Sequence, residues 1–336
     1  MKSKKTETIV GLDIGSHSVK CVEVLQSGAS IELQRAEILP LTGGLDIPKA
    51  LGQLNLSSAR HVRVAISGSS VIIRRISMPL LTPRELEGAI RFEAESHIPF
   101  SIEDCLLDYQ ILKQDSAKKE MSILLVAAKK DLVDARCKLL AEAGIYPEVM
   151  DLDIFCLVNA FSTLNPACEE KSYGLLNIGH KMSAFAIVDD GLPLFVREIT
   201  TGGSSVTNAL AETKAISEAE AGVLKIQKPA AEETFLKAAT EKGFEPLCEE
   251  IRHSIDYVEN EMKEGLKKIY LSGGGALAAN ALELLAEETG KPFELWDPTK
   301  NLRPLGAIQP QFLKEHGSEL VVALGMTLRG LGGFRK

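Results

Sequence analysis

Two stretches of the chain share one pattern of apolar and polar positions. Residues 9–38 begin with an apolar run that stops at Asp13, turn sharply at Gly15, alternate through a second predicted strand, and turn again at Gly28 before a third strand. Residues 173–199 repeat this order, and their second turn falls at Asp190-Gly191. Such alternation between glycine turns predicts hairpins. The repeat suggests two copies of one subdomain, although chance similarity between two hairpins is the alternative. The corresponding positions are Asp13, Ile14 and Gly15 in the first stretch and Asn177, Ile178 and Gly179 in the second.

A third motif lies at residues 269–290, IYLSGGGALAANALELLAEETG. A short apolar strand ends at Ser272, three glycines follow, and a helix is predicted from there to Gly290. Glycine lets a backbone approach a ligand closely, and a helix N-terminus offers unpaired N–H groups. A tight strand-to-helix turn needs glycine in any case. The spacing is not G-x-G-x-x-G, which disfavours a dinucleotide-binding fold.

Residues 82–97 carry a complete set of helix signals. Thr82 is a candidate N-cap, Pro83 stands at the first helical position, and Glu85 completes a capping box. Two predicted strands follow, DCLLDYQIL and MSILLVAA, and then a second helix that ends at Gly144. We therefore expect a compact insert over about residues 83–145.

The two repeated turns are candidates for a phosphate site. If they face each other across a cleft, the N–H groups of Gly15, Ser16 and His17 contact phosphates from one side, and those of residues 179–181 from the other. Asp13 would hold the waters of a Mg²⁺ ion, which keeps most of its hydration shell in proteins. Lys20 supplies positive charge. The glycines at 273–275 would lie against the base and ribose.

Composition limits the class of protein. The chain has 336 residues, 45% hydrophobic and 25% charged, as in soluble globular proteins, and its length favours two domains. A net charge of -8 disfavours an extended nucleic-acid interface. The six cysteines form no C-x-x-C pair, and we expect buried reduced thiols in a cytosolic protein. We expect no signal peptide, and no apolar run approaches the roughly 18 residues that span a bilayer.

The order DIGSHSVK, NIGHKMSAF and SGGGAL resembles the actin–Hsp70–sugar-kinase ATPase superfamily over nearly the whole chain. Three further segments resemble, more narrowly, the PilM family of type IV pilus assembly proteins, itself similar to the division protein FtsA. They are ELEGAIRFEAESHIPFSIEDCLLDYQIL at 85–112, VREITTGGSSVTNAL at 196–210 and the ending ALGMTLRG.

This resemblance implies an α/β, actin-like two-domain fold with a duplicated, ribonuclease H-like core and an FtsA-type 1C insert. It divides the chain into a first core subdomain (1A, 1–82 and 146–171), the insert (1C, 83–145), a second core subdomain (2A, 172–205 and 266–336) and a fourth subdomain of helices and strands (2B, 206–265).

The implied cofactors are ATP and Mg²⁺. Asp13 and, through water, Asn177 would hold the metal. The superfamily usually has aspartate at the second of these positions, so the uncharged Asn177 predicts weaker metal binding. The residues expected to bind the nucleotide are Gly15, Ser16, His17, Ser18, Lys20, Gly179, His180, Lys181, Gly202, Gly203, Glu220, Gly273, Gly274 and Gly275.

Several roles stay open on the sequence alone. Asp151 and Asp153 could position an attacking water, but capping of the following helix is favoured. His17 and His180 are expected to be neutral and solvent-facing rather than functional contacts. In 2B, Glu220 could meet the ribose or lie on a solvated helix. Lys225, which stands about two residues later than the expected pattern, and Asn208 have the same status.

The resemblance also implies partners. The N-terminal tail of a PilN-like membrane protein would dock between the insert and the first core subdomain, near Ile98, Pro99 and Phe100. Further expected partners are the pilus inner-membrane platform and motor proteins. Contact with the membrane would occur only through partners, no nucleic acid is expected to bind, and homo-oligomers are possible. The expected role is an ATP-responsive cytoplasmic scaffold, at most a slow ATPase. The alternatives are a sugar or small-molecule kinase and an actin-like filament former.

Overall fold

The computed structural model describes residues 6–28, 30–42, 45–165, 168–260, 265–305 and 308–331. These residues form two compact units. The larger unit contains the chain up to Ile66 and from Pro147 onward, and the smaller unit is Ser67–Tyr146.

The first sheet of the larger unit has six strands, in the order β14-β3-β2-β1-β4-β8. β1 runs antiparallel to β2 and parallel to β4. The apolar side chains of β1 and β2 lie in the core from Ile9 to Val24, and β1 is buried on both faces from Ile9 onward. The strands are β1 Thr6–Ile14, β2 Ser18–Ser27, β3 Ser30–Pro40, β4 Val62–Ile66, β8 Val149–Leu152 and β14 Arg303–Pro304.

The second sheet has five strands, in the order β11-β10-β9-β12-β13. It repeats the first: three antiparallel strands, then a parallel strand beside the first of the three. This topology confirms the internal repeat predicted from the sequence. The strands are β9 Ser172–Ile178, β10 Ser183–Asp189, β11 Leu192–Ile199, β12 Ile269–Ser272 and β13 Phe293–Leu295.

The helices of the larger unit pack around these sheets. The helix predicted after the three glycines begins later than expected: residues Gly274–Leu277 form a 3₁₀ turn, and α8 starts at Ala281 after Asn280, whose φ is 61°. The helices are α1 Ile47–Gln53, α4 Asp153–Leu164, α5 Gly203–Lys214, α6 Glu218–Gln227, α7 Glu233–Glu259, α8 Ala281–Thr289, α9 Pro310–His316 and α10 Val321–Leu328.

The chain returns to the first half at its end. Although the predicted division assigns 266–336 to the second core subdomain, β14 pairs with β3, and α10 packs on β1 and α4. Two glycines allow this approach. A Cβ on Gly325 would lie 2.5 Å from the Cys156 carbonyl carbon, and one on Gly11 would meet the Ala323 carbonyl. All eight residues of α10 are buried.

The smaller unit has a three-stranded antiparallel sheet, in the order β5-β7-β6, with two helices. The capping box of Thr82 and Glu85 is present, as predicted. The predicted start at residue 83 differs from the observed start at Ser67, because β5 pairs with β7. The elements are β5 Val71–Pro79, α2 Pro83–Glu95, β6 Cys105–Asp115, β7 Glu120–Lys129 and α3 Lys130–Glu142.

The burial of individual side chains bears on two expectations from the sequence. Ile98 is only 7% exposed and belongs to the core of the smaller unit, whereas Pro99 is exposed and Phe100 is half-buried; docking of a tail near these residues stays a prediction. The six thiols are free, but Cys137 on α3 is exposed and Cys168 is half-buried, which corrects the expectation that all are buried. No described helix is long and apolar enough to cross a membrane.

Candidate functional site

The first turn is fixed by a bond within itself and by an ion pair at its base. The Gly15 N–H donates to the Ser18 carbonyl at 3.0 Å. The strand register places Asp13 opposite Lys20, and the Lys20 ammonium donates to Asp13 Oδ2 at 2.8 Å. Asp13 is only 8% exposed. The turn therefore presents a buried carboxylate and a lysine together.

Lys20 is held in its charged form. Burial alone would lower its pKa, but the adjacent Asp13 carboxylate, with smaller contributions from Glu319 and Asp153, raises the pKa above its ordinary value. The ammonium thus stands among carboxylates from three separate elements. We conclude that the base of the first turn is a charged centre that is largely removed from water.

The second turn has the same internal bond. The Gly179 N–H donates to the Met182 carbonyl at 2.9 Å, as Gly15 does to Ser18. These two glycine N–H groups already donate within their own turns, and their role as phosphate donors stays a prediction. Within the described ranges no backbone partner is seen for the N–H groups of Ser16, His17, His180 and Lys181.

The two turns meet through their histidines. The rings of His17 and His180 stack with centroids 4.5 Å apart and planes 24° from parallel. Burial, and then the positive charges nearby, lower the pKa of both rings, that of His180 to about 4. The expectation of neutral rings agrees with this. The expectation that both simply face solvent does not, because each ring packs on the other.

The three glycines at 273–275 have different structural reasons for lacking a side chain. Gly273 has a φ of 91°, and a Cβ there would lie 2.6 Å from Asn177 Oδ1 and against the Ile178 carbonyl. A Cβ on Gly275 would also meet Ile178. These two glycines are needed for packing on the end of β9. Gly274 is exposed, and its close neighbour is the side chain of Glu319.

The start of α5 is joined to the second turn. The N–H groups of Gly203 and Ser204 donate to the carbonyls of Gly179 and His180, at 2.9 and 2.8 Å. A Cβ on Gly202 would lie 2.6 Å from the His180 carbonyl oxygen. The glycine pair in the sequence therefore marks a close packing of backbone on backbone beside the second turn.

The 2B residues separate into one beside the turn and two that are exposed. The Lys225 ammonium donates to the Gly203 carbonyl and to Thr207 Oγ1, both at 2.7 Å, and burial lowers its pKa to about 8. Glu220 is exposed and completes a capping box with Ser217 at the start of α6. Asn208 is exposed on α5. Lys225, despite its late position, lies beside the second turn.

Asp151 and Asp153 do not cap α4 as expected. The N-cap is Leu152, without a side-chain bond. Asp151 is buried and instead accepts from Arg329 Nε at 2.6 Å, and Asp153 is the first residue of the helix. Its charge contributes to the raised pKa of Lys20, so Asp153 lies near the first turn.

Sequence reasoning missed Glu319. It lies in the 3₁₀ turn Gly317–Leu320, directly before α10, and accepts from His316 Nδ1 at 2.7 Å. Its charge contributes to the raised pKa of Lys20 and partly offsets the lowering of the His17 pKa by burial and by the nearby lysines. No motif around residue 319 pointed to the site, since only the fold brings the end of the chain back to β2.

The donor set fits a polyphosphate with a hydrated divalent cation. Unpaired N–H groups and lysines suit phosphate oxygens, and a buried carboxylate suits the waters of Mg²⁺. Within the part of the chain that is described, no three His, Cys, Asp or Glu side chains lie close enough to hold a metal directly. The arrangement therefore suits a cation held through its water shell.

Comparisons with known proteins agree with this fold. A structure described as a PilM-PilN type IV pilus biogenesis complex matches with a TM-score of 0.82 and 26% identity, over 96% of this chain and 98% of that one. EutJ, the ethanolamine utilization protein of Carboxydothermus hydrogenoformans, matches with a TM-score of 0.52 and 15% identity, over 98% and 92% of the two chains. MreB5 of Spiroplasma citri bound to ADP matches with a TM-score of 0.53 and 11% identity, over 95% and 94%.

These neighbours confirm the predicted α/β, actin-like class, while the identification of the smaller unit as an FtsA-type insert stays a prediction. The family model for the type IV pilus assembly protein PilM matches residues 11–331. The chain therefore belongs to the PilM family of type IV pilus assembly proteins.

Proposed function

We propose that this protein is an ATP-binding scaffold of the type IV pilus inner-membrane platform, which recruits the cytoplasmic tail of a PilN-like membrane protein. The observation that carries the ATP part is the pair of matching turns, one from each half of the duplicated core, in contact through His17 and His180. The partner is proposed because a relative was solved as a PilM-PilN complex.

Each turn would bind phosphate through its own unpaired N–H groups. These belong to Ser16 and His17 in the first turn and to His180 and Lys181 in the second. Asp13 would orient the waters of the cation, and Asn177 would add a neutral hydrogen bond. Bound Mg²⁺ would neutralise phosphate charge. Lys225 lies close enough to the second turn to add positive charge there.

Nucleotide state would be signalled by the spacing of the two turns. A ligand shifts a conformational equilibrium only by its differential affinity for the two states. A phosphate chain that contacts both turns favours the conformation in which the distance between the turns matches the length of the phosphate chain. The His17–His180 stack must then adjust, because the rings occupy the space between the turns.

Turnover is proposed to be slow. Asn177 brings no charge to the metal, and the Asp151 carboxylate already accepts a hydrogen bond from Arg329. Asp153 remains the candidate for positioning water, since it lies near Lys20. We also propose that the protein acts on the cytoplasmic side of the inner membrane, reaching it through its partner.

The test is the affinity of a synthetic PilN-like tail peptide for the protein without nucleotide, with Mg-ATP and with Mg-ADP. We expect the affinity to differ between nucleotide states in the wild type. Asp13→Asn should make the three values equal while the peptide still binds. Equal affinities in the wild type, with nucleotide binding verified separately, would refute the signalling role, and no peptide binding at all would refute the recruitment role.

A further inference from the structure

We infer that Glu319 supplies the negative charge near the metal that Asn177 does not, and that it acts with Asp13 on the water shell of a divalent cation. This inference rests on the proposed function, because it concerns the same nucleotide site. Asparagine at the second position leaves the repeat with one carboxylate where two would bind a cation more strongly. The structure places a further carboxylate close by.

Glu319 is held in a defined orientation. Its Oε1 accepts from His316 Nδ1 at 2.7 Å, and the His316 ring lies against Phe312 with centroids 5.0 Å apart. The 3₁₀ turn that carries Glu319 packs against β2, the strand that follows the first turn. The carboxylate is therefore fixed by the same packing that fixes the site.

The second oxygen of this carboxylate is left available. Oε2 accepts no hydrogen bond from any residue that the structure describes, and the side chain is 20% exposed. It lies 2.9 Å from the position that a Cβ on Gly274 would take. The three heavy atoms nearest to that position all belong to the Glu319 side chain. The φ of Gly274 lies outside the left-handed region, so the backbone conformation does not require a glycine here. The absence of a side chain at this position leaves Oε2 of Glu319 uncovered.

Glu319 and Asn177 lie beside neighbouring glycines. Asn177 Oδ1 is near Gly273, and Glu319 Oε2 is near Gly274. The charge of Glu319 also acts on Lys20 and His17, so its field reaches the first turn. A carboxylate at 319 can therefore act on a cation near Asp13 in place of one at 177. The competing explanation is that Glu319 only holds His316.

The experiment measures Mn²⁺ binding by electron paramagnetic resonance in the presence of ADP, together with ADP binding in EDTA. Glu319→Gln should weaken Mn²⁺ binding by about 10- to 100-fold, the usual effect of losing an outer-shell carboxylate. ADP binding in EDTA should stay equal or become tighter, because a negative charge is removed. Glu315→Gln is the matched control, an exposed carboxylate on the same segment, and should change neither value.

Two further variants separate a direct role from a structural one. Adding Asn177→Asp to Glu319→Gln should restore Mn²⁺ binding, since the charge returns at the neighbouring position. Gly274→Ala should weaken Mn²⁺ binding in the wild type and have no further effect beside Glu319→Gln, because its methyl group acts only by covering that carboxylate.

The outcomes are distinct. Unchanged Mn²⁺ binding in Glu319→Gln would overturn the inference and leave the proposed function intact. Equal loss of ADP binding with and without metal, not restored by Asn177→Asp, would also overturn it in favour of a structural role. If wild-type protein binds no nucleotide under any condition, the proposed function itself fails.

Discussion

The contact of α10 with α4 depends on the absence of one side chain. At Gly325, a Cβ would lie 2.5 Å from the carbonyl carbon and 2.8 Å from the Cα of Cys156, and closer still to its oxygen. These are backbone atoms in the first turn of α4, and they cannot move away as a flexible side chain could. Gly325→Ala must therefore push α10 away from α4.

The size of the effect follows from two opposing contributions. Alanine is better than glycine inside a helix by about 1 kcal/mol. Overpacking a filled core costs about 1–3 kcal/mol and sometimes more. Because the obstacle is backbone, we expect the larger cost and a net fall of at least about 2 kcal/mol in the free energy of unfolding. Gly222→Ala on α6 is the control: a Cβ there meets nothing within 4 Å, so this variant should gain about 0.5–1 kcal/mol.

The assay is urea unfolding followed by tryptophan fluorescence. The chain has one tryptophan, Trp296, which is 7% exposed and packs against Phe161 with ring centroids 5.0 Å apart, so it reports on the larger unit. The midpoint should fall for Gly325→Ala and rise for Gly222→Ala. If both variants shift in the same direction, the close packing described for α10 is wrong.

Three other perturbations have defined outcomes. Asp13→Asn leaves the Lys20 charge without its carboxylate and should lower the free energy of unfolding by about 3 kcal/mol; unchanged Trp296 unfolding would contradict the ion pair. Acidification from pH 6.5, the ordinary histidine pKa, to about pH 4 should lower the free energy of unfolding of the larger unit. In this range His180 binds a proton in the unfolded chain but stays neutral in the folded protein. His180→Asn should reduce that pH dependence and the exposed His253→Asn should not; equal slopes would contradict the stack. Thr82→Ala should destabilise α2 by about 1 kcal/mol while Thr82→Ser retains the cap; equal amide hydrogen exchange in α2 for the two variants would argue against the capping box.

Local patterns predicted the elements that local physics determines. Short apolar segments bounded by the turns near Asp13 and Asn177 predicted both sets of three strands. The structure buries β1, β9 and β10 on both faces rather than on one, which the turns alone do not indicate. Thr82, Pro83 and Glu85 predicted the start of α2, because capping involves residues that are neighbours in the sequence.

Long-range placement could not be predicted in this way. The pairing of Asp151 with Arg329 and the return of α10 to β1 join residues far apart in sequence, and no periodicity encodes them. Glu319 was missed because its neighbours in space, Gly274 and Lys20, come from distant segments. The histidine stack was missed because each ring was considered in its own turn.

The central claim is that the two matched turns bind Mg-ATP. The most direct test is equilibrium binding of radiolabelled ATP to the wild-type protein, with Mg²⁺ and with EDTA, followed by chromatography of the bound nucleotide. The account predicts saturable binding of one nucleotide per chain, tighter with Mg²⁺ and recovered mainly as ATP. Absence of saturable binding in both conditions, or an affinity that Mg²⁺ does not change, would contradict it.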